Sequence, residues 1–270
     1  MIADILIALL VVAVVGLIAS VILVLASHFF SVKTDERVTK IRECLPGANC
    51  GACGFAGCDA YAKALVEEGV KTNLCIPGAQ AVVEKISDIL GVEVVESELS
   101  EKSVAVVHCN GTCDVAPKRA VYDGVSSCLA ASMLYGGANA CGYGCLGCGD
   151  CAKVCVADAV CIVDGVARVD SRLCIGCGKC AKTCPKYVIS LVPIDSKQVV
   201  LCNNKEKGAV ARKNCTNACI ACKKCELNCP AQAISVKDNL ATIDYEKCTS
   251  CGKCVEVCPV HCIKAVDFAV

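Results

Sequence analysis

The chain has 270 residues, 29 of them cysteine, and its 27 Lys and Arg balance its 27 Asp and Glu. That cysteine density belongs to a disulfide scaffold or a metal protein; an odd number gathered in CxxC strings excludes complete internal pairing and favours metal. With no net charge, no tryptophan and only 4% aromatic residues, the composition excludes a nucleic-acid surface, which needs basic patches and stacking platforms.

Residues 1–30 read as a transmembrane anchor. From Ile5 to Ala26 the sequence carries no charge for 22 residues, about 33 Å as a helix, enough to cross the hydrocarbon core. A cleavable signal would need a basic start and a shorter apolar stretch, whereas this N-terminus carries Asp4 and no Lys or Arg before the span. Lys33, Arg37, Lys40 and Arg42 follow, so the positive-inside rule puts the N-terminus outside and the rest in the cytoplasm, in the inner membrane of a cell that has two. Thiolates that hold iron need the same reducing compartment.

Residues 31–43 read as a polar linker. Residues 44–92 form a four-cysteine module: LPGANCGACGFAGC supplies Cys50, Cys53 and Cys58, and Cys75 follows a helical stretch, DAYAKALVEEGV. Gly51, Gly54 and Gly57 let the backbone wrap closely and turn amide N–H groups toward sulfur. A zinc knuckle is the other reading of such a set. Residues 79–91 read as an amphipathic helix. Glu93, Glu96, Glu98 and Glu101 then read as a solvated surface. The middle region, 93–140, holds Cys109, Cys113 and Cys128, which with Cys141 make a second candidate four-thiol set. Its spacings are wide, and structural or free thiols are the alternative.

From residue 141 onward the chain is a repeat. CxxCxxCxxxC starts at Cys145, Cys174, Cys219 and Cys248, and all eight cysteines of the first pair of runs recur 74 residues later. The repeat divides into a unit at 141–195, a connector at 196–213 and a second unit at 214–270. Cys128 and Cys141 also recur, as Cys202 and Cys215, whereas Cys109 and Cys113 do not. AISVKDNLATIDYEK reads as a hairpin turning at Asp238–Asn239. Zinc ribbons use separated CxxC pairs, so four dense runs fit zinc poorly. No GxGxxG follows a strand, and there is no P-loop or nucleophile–base arrangement, so no catalytic residue is expected.

Each unit resembles the bacterial ferredoxin with two [4Fe–4S] clusters, whose signature CxxCxxCxxxCP is intact at Cys174–Pro185, Cys219–Pro230 and Cys248–Pro259; Val156 replaces the proline of the first run. In that fold the fourth cysteine of a run crosses to the other cluster. The resemblance implies the ligand sets Cys145, Cys148, Cys151 and Cys184; Cys174, Cys177, Cys180 and Cys155; Cys219, Cys222, Cys225 and Cys258; and Cys248, Cys251, Cys254 and Cys229. With Cys50, Cys53, Cys58 and Cys75, and with Cys109, Cys113, Cys128 and Cys141 as the sixth set, the chain is expected to carry five or six [4Fe–4S] clusters. Cys44, Cys161, Cys202, Cys215 and Cys262 are left as small hydrophobes.

The order of anchor, four-cysteine module, middle region and tandem ferredoxin units resembles the RnfB family over nearly the whole chain, on the strings LPGANCGACGFAGC, GCLGCGDCAKVC and CNNKEKGAVARKNC. The fold class this implies is α+β: a single N-terminal transmembrane helix, a small four-Cys [4Fe–4S] module, a middle Cys region and tandem bacterial-type 2[4Fe–4S] ferredoxin units. The function implied is electron transfer from reduced soluble ferredoxin into the other membrane subunits of an Rnf complex. That complex reduces NAD and moves Na+ or H+, and its flavin and nicotinamide sites lie in other subunits. A related membrane system that reduces a redox-sensing regulator uses the same kind of subunit, and a membrane-tethered zinc interaction module is a third reading. Lys179, Lys182, Lys186, Lys223 and Lys224 flank the ligands and read as a basic docking face for an acidic ferredoxin.

Overall fold

A computed structural model describes residues 2–29, 35–92 and 102–268. Helix α1 (Ile2–Phe29) leads the chain. The transmembrane helix expected over 1–30 is not shown: among the described residues no helix is long and apolar enough to cross a membrane. Lys33 and the acidic stretch from Glu93 to Glu101 lie outside the described residues.

The segment read as a linker contains a helix. The Asp35 carboxylate caps it by accepting the Arg37 backbone N–H at 2.9 Å, and α2 (Glu36–Cys44) runs from there. Val38, Ile41 and Leu45 fall on one face, and Ile41 is wholly buried. Three apolar positions scattered among charges are a weak periodic signal, which is why composition alone suggests a linker. This face packs on α3 (Cys58–Glu67), which buries Tyr61, Ala62 and Leu65, and on α4 (Ala79–Leu90), which buries Val82 and Ile86. The amphipathic helix read at 79–91 is thus present, entered through a 3-10 turn at Ile76–Gly78 and stopped at Gly91, which is left-handed.

Two similar α+β units follow. The first holds β1 (Ser103–Val107), α5 (Cys128–Met133), α6 (Asp150–Lys153), β2 (Val160–Val163), β3 (Val166–Val169), α7 (Lys179–Thr183) and β4 (Ile189–Pro193). β1 pairs antiparallel with β4 from Ser103↔Pro193 to Val107↔Ile189, and β2 with β3 closes at Val163↔Val166. The second holds β5 (Gln198–Val200), α8 (Gly208–Asn214), α9 (Lys224–Leu227), β6 (Ile234–Lys237), β7 (Leu240–Ile243), α10 (Lys253–Glu256) and β8 (Ile263–Ala265). β5 pairs with β8, ending at Val200↔Ile263, and β6 with β7 closes at Lys237↔Leu240. Both hairpin turns, Asp164–Gly165 and Asp238–Asn239, have positive φ at the two central residues. Residues that tolerate this conformation select the tight turn whose twist matches the strands.

Strand pairing moves the unit boundaries read from the sequence. β1 comes from the middle region and β5 from the connector, yet each closes a sheet with the last strand of a ferredoxin unit. The loops between cysteines in a run are drawn tight against these strands. A Cβ on Gly147 would sit 2.4 Å from the Gly165 carbonyl oxygen, and one on Gly176 2.4 Å from that of Ser103. Both positions have positive φ, so glycine answers a steric and a conformational demand together. The two units meet on Val106 and Val192 of the first and Val199 of the second, all buried, with Leu201 and Phe268 packed against them. Each buried valine contributes about 1.5–3 kcal/mol, so this contact holds the units as neighbours.

Candidate metal centres

The thiols gather in groups of four. In the N-terminal module Cys75 lies among Cys50, Cys53 and Cys58. Cys58 opens α3, and its backbone N–H donates to the Asn49 side-chain oxygen at 2.9 Å. Arg42 of α2 meets Asp59 of α3 at 2.8 Å, which pins the helix outside the cysteine loop. Burial and then the neighbouring thiols push the Cys75 thiol up, with the Gly78 N–H opposing. Because metal is bound by the thiolate, binding here would have to displace the proton that burial favours on Cys75.

In the first ferredoxin unit, Cys151 lies among Cys145, Cys128 and Cys184, and burial together with these neighbours pushes its thiol up to about 12. Cys180 lies among Cys174, Cys177 and Cys155 and is pushed up to about 11 for the same reasons. In the second unit Cys225 lies among Cys219, Cys258 and Cys222, again raised by burial to about 11. The last cysteine of one run therefore stands with the first three of its partner run in the second and third groups; in the first, Cys184 stands with Cys145 and Cys151, and Cys148 lies with Cys128 and Cys145. Cys254 lies with Cys248 and Cys251. Cys229 accepts the Ala233 N–H at 3.3 Å, as its repeat counterpart Cys155 accepts that of Ala159. Further amides point at sulfur: Ala167 at Cys145, 3.5 Å, and Ala105 at Cys174, 3.4 Å. Donors of this kind favour the thiolate and a more negative bound group.

The middle set is not brought together. Cys109 and Cys141 line one buried cavity, whose other cysteines are Cys145, Cys202 and Cys215. Cys113 is exposed, its amide donating to the Asp164 carbonyl at 3.1 Å. Cys128 begins α5 and turns to Cys145, Cys148 and Cys151. Cys202 and Cys215 escape sequence reasoning, although Cys215 precedes Cys219 by the same four residues that separate Cys141 from Cys145. Cys262 Sγ stands 3.6 Å from Cys258 Sγ, with either thiol able to donate; side-chain hydrogen bonding with Cys258 and Cys219 raises the Cys262 pKa and lowers theirs. Among the described residues, no group of three or more His, Cys, Asp or Glu is tight enough to hold a lone metal ion. Of the lysines read as a docking face, Lys182, Lys223 and Lys224 are exposed, while Lys186 donates inward to the Gly142 carbonyl at 2.7 Å.

Three family models match: a putative Fe-S cluster domain over residues 45–77, a 4Fe-4S binding domain over 166–189 and a 4Fe-4S dicluster domain over 218–262. Over 92% of its length the chain is 43% identical to the B-type subunit of the Na(+)-translocating ferredoxin:NAD(+) oxidoreductase complex of Acetobacterium woodii, of which 74% is covered. It is 45% identical over 89% of its length to the B-type subunit of the proton-translocating ferredoxin:NAD(+) oxidoreductase complex of Clostridium ljungdahlii, with 84% covered. With the B-type subunit of an ion-translocating oxidoreductase complex of Methanosarcina acetivorans it shares 41% identity over 87% of its length, covering 88% of that protein.

Proposed function

The chain belongs to the RnfB family, the B-type subunits of ion-translocating ferredoxin:NAD(+) oxidoreductase complexes, and from this we propose that it carries electrons from reduced ferredoxin to the other membrane subunits. The observation that carries the reading is the convergence of thiols from distant runs into groups of four. The two ferredoxin units would hold four [4Fe–4S] clusters on the crossed ligand sets read from the sequence. Cys50, Cys53, Cys58 and Cys75 would hold a fifth. Bound there, the clusters supply one-electron redox chemistry. The chain's own residues bury the sites, exclude water, and aim amide N–H groups at sulfur, which makes the reduced state easier to reach.

Residues 1–30 would anchor the chain as a single-pass helix with the N-terminus outside. The uncharged run from Ile5 to Ala26 supports this, as do the exposed apolar side chains of α1, among them Leu17 and Leu23. Anaerobic purification, iron and sulfide analysis and EPR during titration with reduced ferredoxin test the function. At least about 20 irons per chain, reduced by ferredoxin, is the expected result; a colourless zinc protein, or clusters inert to ferredoxin, would overturn it.

A further inference from the structure

We propose that Cys109, Cys141, Cys202 and Cys215 are the ligands of an additional [4Fe–4S] cluster shared between the two ferredoxin units. Each unit contributes an equivalent pair. Cys109 lies two residues beyond the end of β1, and Cys202 two residues beyond the end of β5. These strands are equivalent, since Val107 pairs with Ile189 and Val200 with Ile263, and those partners are 74 residues apart. Cys141 and Cys215 each precede the first cysteine of a run by four residues. The site is thus related by the same internal repeat as the units that build it.

Its surroundings are those of the other thiol groups. The Cys145 N–H donates to Cys109 Sγ at 3.4 Å, and the Cys219 N–H donates to Cys202 Sγ at 3.3 Å. Asn204 is almost wholly buried; its Nδ2 donates to Cys141 Sγ at 3.4 Å and its backbone N–H to Cys202 Sγ at 3.5 Å. A Cβ on Gly111 would lie 3.6 Å from both Cys109 Sγ and Cys215 Sγ, and one on Gly144 would lie 3.6 Å from Cys141 Sγ and 3.7 Å from Cys109 Sγ. Sulfurs that share neighbours at this range surround one small space. Two of the amides that approach the site belong to Cys145 and Cys219, the first ligands of the first cluster in each unit, so the additional cluster would stand between them.

The long-range repeat disguises this set. Cys109 and Cys145 are 36 residues apart, whereas Cys202 and Cys219 are 17 apart. The extra chain in the first unit carries Cys113 and Cys128. Counting back 74 residues from Cys202 therefore lands on Cys128, although its structural counterpart is Cys109.

The test uses the full chain purified anaerobically with its clusters. Iron, zinc and acid-labile sulfide are counted, with Mössbauer and EPR spectra, for the native chain and for Cys202→Ala, Cys215→Ala and Cys113→Ala. The expected values are about 24 irons in the native chain and in Cys113→Ala, and about 20 in the other two, at four irons per cluster. The remaining irons report that these variants are folded. A native count of about 20, one zinc per chain, full iron in Cys202→Ala, or loss of four irons in Cys113→Ala would overturn the proposal. The five-cluster reading would survive any of these. If the alanine variants do not fold, Asn204→Leu decides. It keeps all ligands, and a shift confined to one cluster's potential supports the site, whereas unchanged potentials overturn it.

Discussion

Replacing Cys184 by alanine should damage the cluster of a run to which Cys184 does not belong. Cys184 closes the run that begins at Cys174, yet its thiol stands with Cys151 and Cys145, while Cys180 keeps Cys174, Cys177 and Cys155 about it. Four-thiolate metal binding is worth on the order of 10–16 kcal/mol in small zinc domains, so one ligand carries about 3–4 kcal/mol, or two to three decades in retention. Cys128 modifies the outcome. It stands beside Cys148 and Cys151 as a fifth thiol and can take the vacated corner. Cys184→Ala should therefore lose its cluster slowly, over a chelator challenge, and Cys128→Ala/Cys184→Ala should lose about four irons at once. Time-resolved iron release to a chelator, with EPR to identify the surviving signals, reads both. Loss of the Cys174, Cys177 and Cys180 cluster in Cys184→Ala would refute the crossed pairing. Identical release from the single and double variants would refute the role given to Cys128.

A chain starting near Lys33 should be soluble without detergent and retain its full iron content; loss of iron on that truncation, measured after anaerobic purification, would make α1 part of the folded domains. Ile41→Ala removes a wholly buried side chain from the α2 face and should destabilise the N-terminal module by about 2–5 kcal/mol, read as earlier denaturant-induced bleaching of one cluster only. Reduction by ferredoxin should slow steeply as salt rises and the Debye length falls from about 10 Å at 0.1 M to about 3 Å at 1 M, and Lys182→Glu with Lys224→Glu should slow it further at low salt. Lys186→Glu should act differently, by breaking the bond to the Gly142 carbonyl, and a stopped-flow rate indifferent to both salt and the exposed reversals would remove the docking face.

What the sequence determined is what short spacings enforce. Three cysteines in CxxCxxC lie on one loop, so they must face a common centre whatever the rest of the chain does, and the 74-residue recurrence identifies the duplicated unit. Asp238–Asn239 set the hairpin turn because few residues tolerate positive φ at both central positions. The uncharged run from Ile5 to Ala26 was equally plain in composition. Helix α2 was not, because its buried face is three residues wide amid charges. Tertiary structure alone decided which distant thiols meet. β1 pairs with β4, and β5 with β8, across some 60 to 90 residues of intervening chain. These pairings carry Cys109 and Cys202 to the junction of the units, while Cys113 stays at the surface and Cys128 turns toward another group. A ligand set spread from residue 109 to 215 leaves no local spacing to read, since its geometry is set by sheet closure and by the packing of one unit on the other.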